Sequence, residues 1–435
     1  VAGPGLVTGG PRPAPLTGLR GLPAVFWWIW ASLLINWLGA FAGPMLAFSL
    51  TADRGYSASY AGFVVSLPGL GAIAGNALGG VLADRYGRRV TLVSGHVWTA
   101  AAMAALGLAQ DRTSVAAAAL AVGIGTGVVR PAAGAVLADV LPAADRQRAF
   151  ALNYWAVNAG LAIAAVLAGL LVRQGYTLLF LADAATTLLC AMVVLVMVPE
   201  TLPPRAVRTP AAEEPSGGSP GSGGTPIRRD LPFVLFTLLT VLFALAFEQR
   251  SGSLAMVMAA QGHSPAVFSL LNAVNAVLVV VVQIPLTRLL SSSPKGMVLC
   301  AGGLLAGAGL AMTAFADGPG LYVAAVVVWT FGEMFQTPAG SAVVAERAPT
   351  RQRGRYLGLY AAAWSTAGFL GPAGGGWVLD RWGSAVLWTL SAVLAGAAGC
   401  GWLLITGAQG FRTAPAVREE GGSPLPRVAT EGKRA

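Results

Sequence analysis

Twelve long apolar runs set the terms for this chain. They lie near residues 23–50, 59–83, 90–109, 115–140, 149–172, 177–199, 231–257, 265–290, 297–316, 320–345, 356–379 and 384–407. Crossing the hydrocarbon core of a bilayer as a helix takes about 20 apolar residues. The runs meet that length, and the connections between them are short. Only 11% of the residues are charged and the mean hydropathy is +0.68, whereas a soluble domain carries about 25% charged residues. The expected fold is all-α and integral to a membrane, with twelve transmembrane helices in two pseudo-symmetric six-helix bundles.

The net charge of +10 suggests nucleic-acid binding, but the positions of the basic residues exclude that reading. Of the 28 Lys and Arg, 22 fall in alternate connections and the two tails. The other set of connections holds five: Arg54, Arg112, Arg173, Arg250 and Arg381. Basic residues collect on the cytoplasmic side of a membrane, so both termini are expected inside. Residues 1–22 are Pro/Gly-rich, and the first apolar run is too long for the core of a signal peptide. A cytoplasmic tail followed by a first span is expected there. Residues 200–230 are rich in Pro, Gly and Ser and read as a flexible linker. The expected organisation is therefore a tail at 1–22, a bundle at 23–199, the linker at 200–230, a bundle at 231–407 and a tail at 408–435.

The two bundles are related by an internal repeat at an offset of 207. The stretch from Gly125 aligns without a gap on the stretch from Gly332. Pro131 meets Pro338, Asp139 meets Glu346, Pro142 meets Pro349 and Arg146 meets Arg353. Shared alanines follow from composition alone, but matched prolines and matched charges do not. Parallel repeats of this kind suit a transporter whose substrate site lies between two rocking bundles.

The connection after the second run reads Gly80-Val-Leu-Ala-Asp84-Arg85-Tyr86-Gly87-Arg88-Arg89. Gly80 would permit close helix approach, and Gly87 a tight turn. Asp84 would sit against a helix N-terminus, and Arg88 or Arg89 would pair with Asp139. The cluster would latch one side of the bundle. This loop resembles the signature loop of the major facilitator superfamily. The resemblance extends over all twelve runs and implies that fold, with transport by alternating access. The corresponding loop of the second bundle, Ser291 to Gly296, lacks the acid, so an asymmetric latch is expected.

Charges inside spans are costly and functional by default. Four stand out: Arg130, Asp183, Glu248 and Glu333. Arg130, followed by Gly134, resembles the superfamily's span-four motif, in which the arginine influences the proton affinity of a nearby carboxylate. Gly332-Glu333-Met-Phe-Gln336-Thr-Pro338 resembles the tenth span of its drug:proton antiporters. A carboxylate withdrawn from water gains proton affinity, so Glu333 is the first candidate for proton coupling. Glu248 has a second reading, as an interfacial residue paired with Arg250. Span five carries only a degenerate copy of the antiporter motif, with Ala165 where span eleven has Pro372.

Polar residues at helical spacing suggest a central cavity lined by Asn36, Tyr154, Asn158, Asn272, Asn275, Gln336, Tyr360 and Trp364. No metal site, cofactor site or enzymatic activity is expected. Cys190, Cys300 and Cys400 lie in apolar runs without ligand spacing, and His96 and His263 stand alone. The phosphate-binding loop of ATP-driven pumps does not occur. The expected partners are a small-molecule substrate, protons and the lipid bilayer, with no nucleic acid, for a monomer in a bacterial cytoplasmic membrane. Export of a small organic molecule is the favoured activity. Nutrient import and a non-transporting receptor are the alternatives.

Overall fold

A computed structural model describes residues 22–40, 42–141, 143–202, 230–349 and 352–407. The 1–21 and 408–435 parts of the tails, and most of the linker, lie outside the described residues. Everything regular in the described residues is helical, and no strand occurs among them. The first bundle contains α1 (Ala24–Leu38), α2 (Ala42–Phe48, extended by a π-turn at Ser49–Asp53), α3 (Ala58–Tyr86), α4 (Arg88–Leu108), α5 (Arg112–Val140), α6 (Ala143–Leu171) and α7 (Tyr176–Met197). The second contains α8 (Leu231–Phe247), α9 (Ser253–Ala260), α10 (Pro265–Leu290), α11 (Lys295–Thr313), α12 (Pro319–Arg347) and α13 (Arg353–Gly407). Among the described residues, nine helices are long and apolar enough to cross a membrane. One of the nine is α13, which breaks into two arms at Gly383, where φ is +80°. The α8–α9 pair forms another, interrupted by a 3₁₀ turn at Glu248–Arg250.

The helices end where local chemistry stops them. Ser57 caps α3 by accepting from the Tyr60 N–H at 3.3 Å. Asp111 caps α5, and the Ser114 hydroxyl and N–H that bond to it hold its carboxyl below its usual range. Gly87, with φ +109°, turns α3 directly into α4.

Small residues let the long helices touch backbone to backbone, which substitutes for a hydrophobic driving force inside lipid. Gly71, Gly75 and Gly79 on α3 face Gly123, Gly127 and Val128 on α5. A Cβ on Gly79 would lie 2.7 Å from Val128 Cα and 2.9 Å from Pro131. Gly80 does not play this part. A Cβ there would meet nothing within 4 Å, because it points off the α5 face that Gly79 occupies. The repeat is visible in the packing as well. Gly125 packs on Thr99 of α4, and at the same offset of 207 Gly332 packs on Ala306 of α11.

The bundles meet along two seams, α3 with α13 and α6 with α10. In the first, Gly62 lies against Pro372 and Gly376, and Asp380 accepts from the N–H groups of Ala58 and Ser59 at 3.1 and 2.7 Å. A carboxylate of one bundle thus caps a helix of the other. In the second, Gly169 of α6 packs on Ser269 of α10.

Candidate functional site

A cavity of about 330 Å³ lies between the bundles. Its two walls differ in chemistry. The first bundle contributes Ala40, Gly43, Met45, Val65, Leu161, Ala164, Ala165 and Ala168, with Asn158 as its polar group. The second contributes Arg250, Ser251, Ser269, Asn272, Asn275 and Glu333, together with Ala276 and Val279. The Asn275 side-chain amide donates to Glu333 Oε2 and to Thr330 Oγ1, both at 3.0 Å. Arg250 Nη2 stands 3.9 Å from Glu333 Oε1, and each side chain is about one-quarter exposed. The guanidinium lies over the rings of Phe247 and Trp329, 4.5 and 5.6 Å from their centroids.

Arg250 therefore departs from the sequence expectation, which placed it in a connection outside the spans. The chain does not leave the bundle at Glu248. It makes one 3₁₀ turn and continues as α9, so the turn remains inside the helix pair and Arg250 faces the cavity. Its ion-pair partner is Glu333. Glu248 is half-buried beside it and interacts electrostatically with both Arg250 and Glu333. Gln249, between them, points the other way. It is buried and donates to the carbonyls of Leu245 and Gly371, both at 2.9 Å, and it accepts from Ser253 at 2.6 Å. This tiny turn thus ties α8 and α9 to α13.

The remaining candidates are dispersed. Asn158, Asn272 and Asn275 line the cavity together with Glu333. Gln336 is buried and donates to the Tyr360 hydroxyl at 3.3 Å. Trp364 packs edge-on against Phe243 and Phe247. Those three sit in the second bundle behind the cavity wall. Asn36 is half-buried on α1 and Asp183 is buried on α7, neither of them on the lining. Arg130 is exposed on α5, also off the lining, with no ion pair among the described residues. The side chain of Tyr154 lies outside the described residues.

The turn at Gly87 gathers the charges of the sequence motif. Arg88 Nε is 3.2 Å from Asp139 Oδ2 and its Nη2 is 3.8 Å from Asp84. Arg85 is exposed, over the Tyr86 ring. Arg89 donates to the Leu195 carbonyl. The anion at the α4 N-terminus is Glu200, which accepts from the N–H groups of Arg88 and Arg89 at 2.8 and 3.1 Å. Asp84 itself is 76% exposed. Glu200 sits just past α7, far away in sequence, and no spacing pointed to it. In the second bundle the Arg88–Asp139 pair recurs at the repeat offset as Lys295–Glu346. That bundle adds a buried cluster without a counterpart. Arg347 Nε is 3.1 Å from both oxygens of Asp230, and the Tyr356 hydroxyl donates to Asp230 at 2.9 Å.

Two helical bundles in lipid, with a partly polar cavity on the seam between them, define a multi-pass membrane transporter. The comparisons with known proteins agree. A sequence model of the Major Facilitator Superfamily matches residues 29–372, and the chain belongs to that family. It is 29% identical over 359 residues to the uncharacterized MFS-type transporter YttB of Bacillus subtilis, covering 81% of this chain and 87% of YttB. It is 24% identical over 343 residues to the multidrug resistance protein MdtH of Escherichia coli, covering 78% of this chain and 82% of MdtH. Among solved structures, a POT family transporter in complex with 5-aminolevulinic acid superposes with a TM-score of 0.73 at 15% identity, over 90% of this chain and 98% of the other. A D-xylose-proton symporter gives 0.67 at 18% identity, over 87% and 96%. At those identities the structural likeness concerns the fold alone.

Proposed function

We propose that the protein exports a small organic molecule by alternating access, driven by protons moving the other way, with both termini on the cytoplasmic side of a bacterial inner membrane. The observation that carries this is Glu333: an ionisable group on the cavity lining, bonded to Asn275 and facing Arg250. A carboxylate there can hold a proton in one state of the carrier and release it in another. The similarity to a multidrug resistance protein supports export of a drug-like compound. The cavity volume and its one apolar wall suit a small amphipathic molecule.

The contacts support one direction of opening. Asp380 and the Gly62–Pro372 contact join the bundles at one end. At the other end, the pairs Arg88–Asp139, Lys295–Glu346 and Arg347–Asp230 each stay within a single bundle. The reading is a carrier closed outside and ready to open inside. Substrate enters from the cytoplasm while Glu333 is charged, the bundles rock, and a proton from outside reaches Glu333 as substrate leaves. The proton is then released inside.

The test uses purified protein in liposomes that contain a pH-sensitive dye. A proton gradient is imposed, and a panel of lipophilic cations and neutral drugs is added. Proton movement opposite to substrate flux is the expected result. Movement in the same direction would make the protein an importer.

A further inference from the structure

An exchange at Glu333 needs a cation beside it. Sequence resemblance offered Arg130, but that residue lies off the cavity, without an ion pair among the described residues. We propose that Arg250 is the positioning residue of the site: it neutralises Glu333 while that carboxylate is charged, and passes to Glu248 when Glu333 takes up a proton. This rests on the reading of Glu333 as the proton carrier.

Four observations carry it. The 3.9 Å between Arg250 Nη2 and Glu333 Oε1 is longer than a hydrogen bond, which closes by about 3.2 Å. The pair attracts without being locked. Arg250 Nε is buried and has no hydrogen-bond acceptor among the described residues, so the guanidinium has a donor to spare for another acceptor. The rings of Phe247 and Trp329 hold the cation by their faces, which take none of its hydrogen bonds. It can therefore swing between acceptors without returning to water. Finally, a second carboxyl group stands on the same 3₁₀ turn: Glu248, two residues before Arg250, interacts electrostatically with both Arg250 and Glu333.

Among the described residues, the charged groups that interact with Glu333 are Arg250 and Glu248, both from the 3₁₀ turn. The neighbouring helices present uncharged partners: Asn272 and Asn275 from α10, Thr330 from α12 itself and Asn158 from α6. The step is a proton transfer alone. An O–H bond forms on Glu333 as an O–H bond of hydronium breaks and leaves water, Arg250 keeps its charge throughout, and it turns to the Glu248 side chain. One negative charge is lost and the guanidinium stays paired.

The experiment is infrared difference spectroscopy of the purified full chain in lipid nanodiscs across a pH series. The carboxyl band that Glu333→Gln removes belongs to Glu333. In Arg250→Gln, half-protonation of that band should move to higher pH by about one unit, a tenfold gain in proton affinity, because a neighbouring cation is gone. Arg250→Met, also uncharged and of similar length, is the second variant in case the first does not fold. Arg250→Lys, which keeps the cation, should bring the half-point most of the way back to that of the unmodified protein. Glu248→Gln should move the half-point to lower pH, since Arg250 no longer has a second acceptor, and this shift should vanish in the Arg250→Gln background. An unmoved half-point in both uncharged variants overturns the proposal. So does a Glu248→Gln shift of equal size with and without Arg250, which would make Glu248 a mere through-space charge. If Glu333→Gln removes no titrating band, the proton-carrier reading fails and takes this one with it. A band that titrates but ignores Arg250 sinks this inference alone.

Discussion

The two bundles share a repeat and a packing scheme but keep their charges in different places. In the first, the Arg88 ion pairs with Asp84 and Asp139 sit at the turn around Gly87, partly in water, and the cavity wall is mostly small and apolar. In the second, a charged pair faces the cavity and another lies buried at Asp230–Arg347. The repeat offset makes the contrast exact in position. Arg250 corresponds to Gly43 and Asn272 to Val65, and all four line the same cavity. Glu333 corresponds to Thr126. One scaffold, used twice, therefore supplies shape on one side and chemistry on the other. Substitutions that interchange the two should have unequal effects.

The largest effect is expected at the chemical wall. Glu333→Gln should reduce proton-coupled flux in the liposome assay to the level of empty liposomes, while the protein still elutes as a folded species. Undiminished coupling would place the proton elsewhere. A contrast in stability comes next. Arg347→Ala leaves the Asp230 carboxylate buried and without its cation, a loss of about 3–5 kcal/mol. Arg88→Ala breaks a pair with a more exposed partner and should cost about 1 kcal/mol or less. Chemical unfolding in detergent, read by loss of helix signal, ranks the two. Equal costs would mean that the buried cluster contributes no more than the exposed one.

A smaller effect is expected at the seam. Asp380→Ala removes a helix cap worth about 0.5–2 kcal/mol, and that loss falls only on the state in which the bundles touch there. Labelling of Ser251→Cys from outside by an impermeant thiol reagent, with the three native cysteines replaced by alanine, should accelerate several-fold. An unchanged rate would leave the cap without a role in gating. The smallest effect is expected on the apolar wall. Val65→Asn should alter which compounds of the panel are carried and leave proton coupling intact, whereas Asn272→Val should weaken both.

Much of this was legible in one dimension. Membrane residence, the helical class and the repeat all rest on patterns that a chain in lipid cannot avoid. A span has to be apolar for its whole length, and a duplicated bundle keeps its prolines and charges in register. The cluster of Arg88 and Asp139 was legible for the same reason, because a motif carries its own spacing. So was Glu333, since a carboxylate in an apolar run is expensive enough to stand out. The partners were not legible. Gly79 rather than Gly80 makes the close contact because helix rotation decides which face meets α5. Glu200 caps α4, and Asp380 caps α3, across 112 and 322 residues. No local pattern encodes such pairs.

Arg250 shows the division most clearly. Read along the chain, Glu248-Gln249-Arg250 resembles the polar end of a span. In three dimensions the same residues form a 3₁₀ turn between α8 and α9, with Gln249 bonded to α13 and Arg250 turned toward Glu333. Hydropathy and spacing determine that a segment lies in the membrane and which residues are costly there, because those are properties of single residues summed along a helix. Which cation stands beside which carboxylate depends on how separate helices are rotated and docked, and only the tertiary structure decides it.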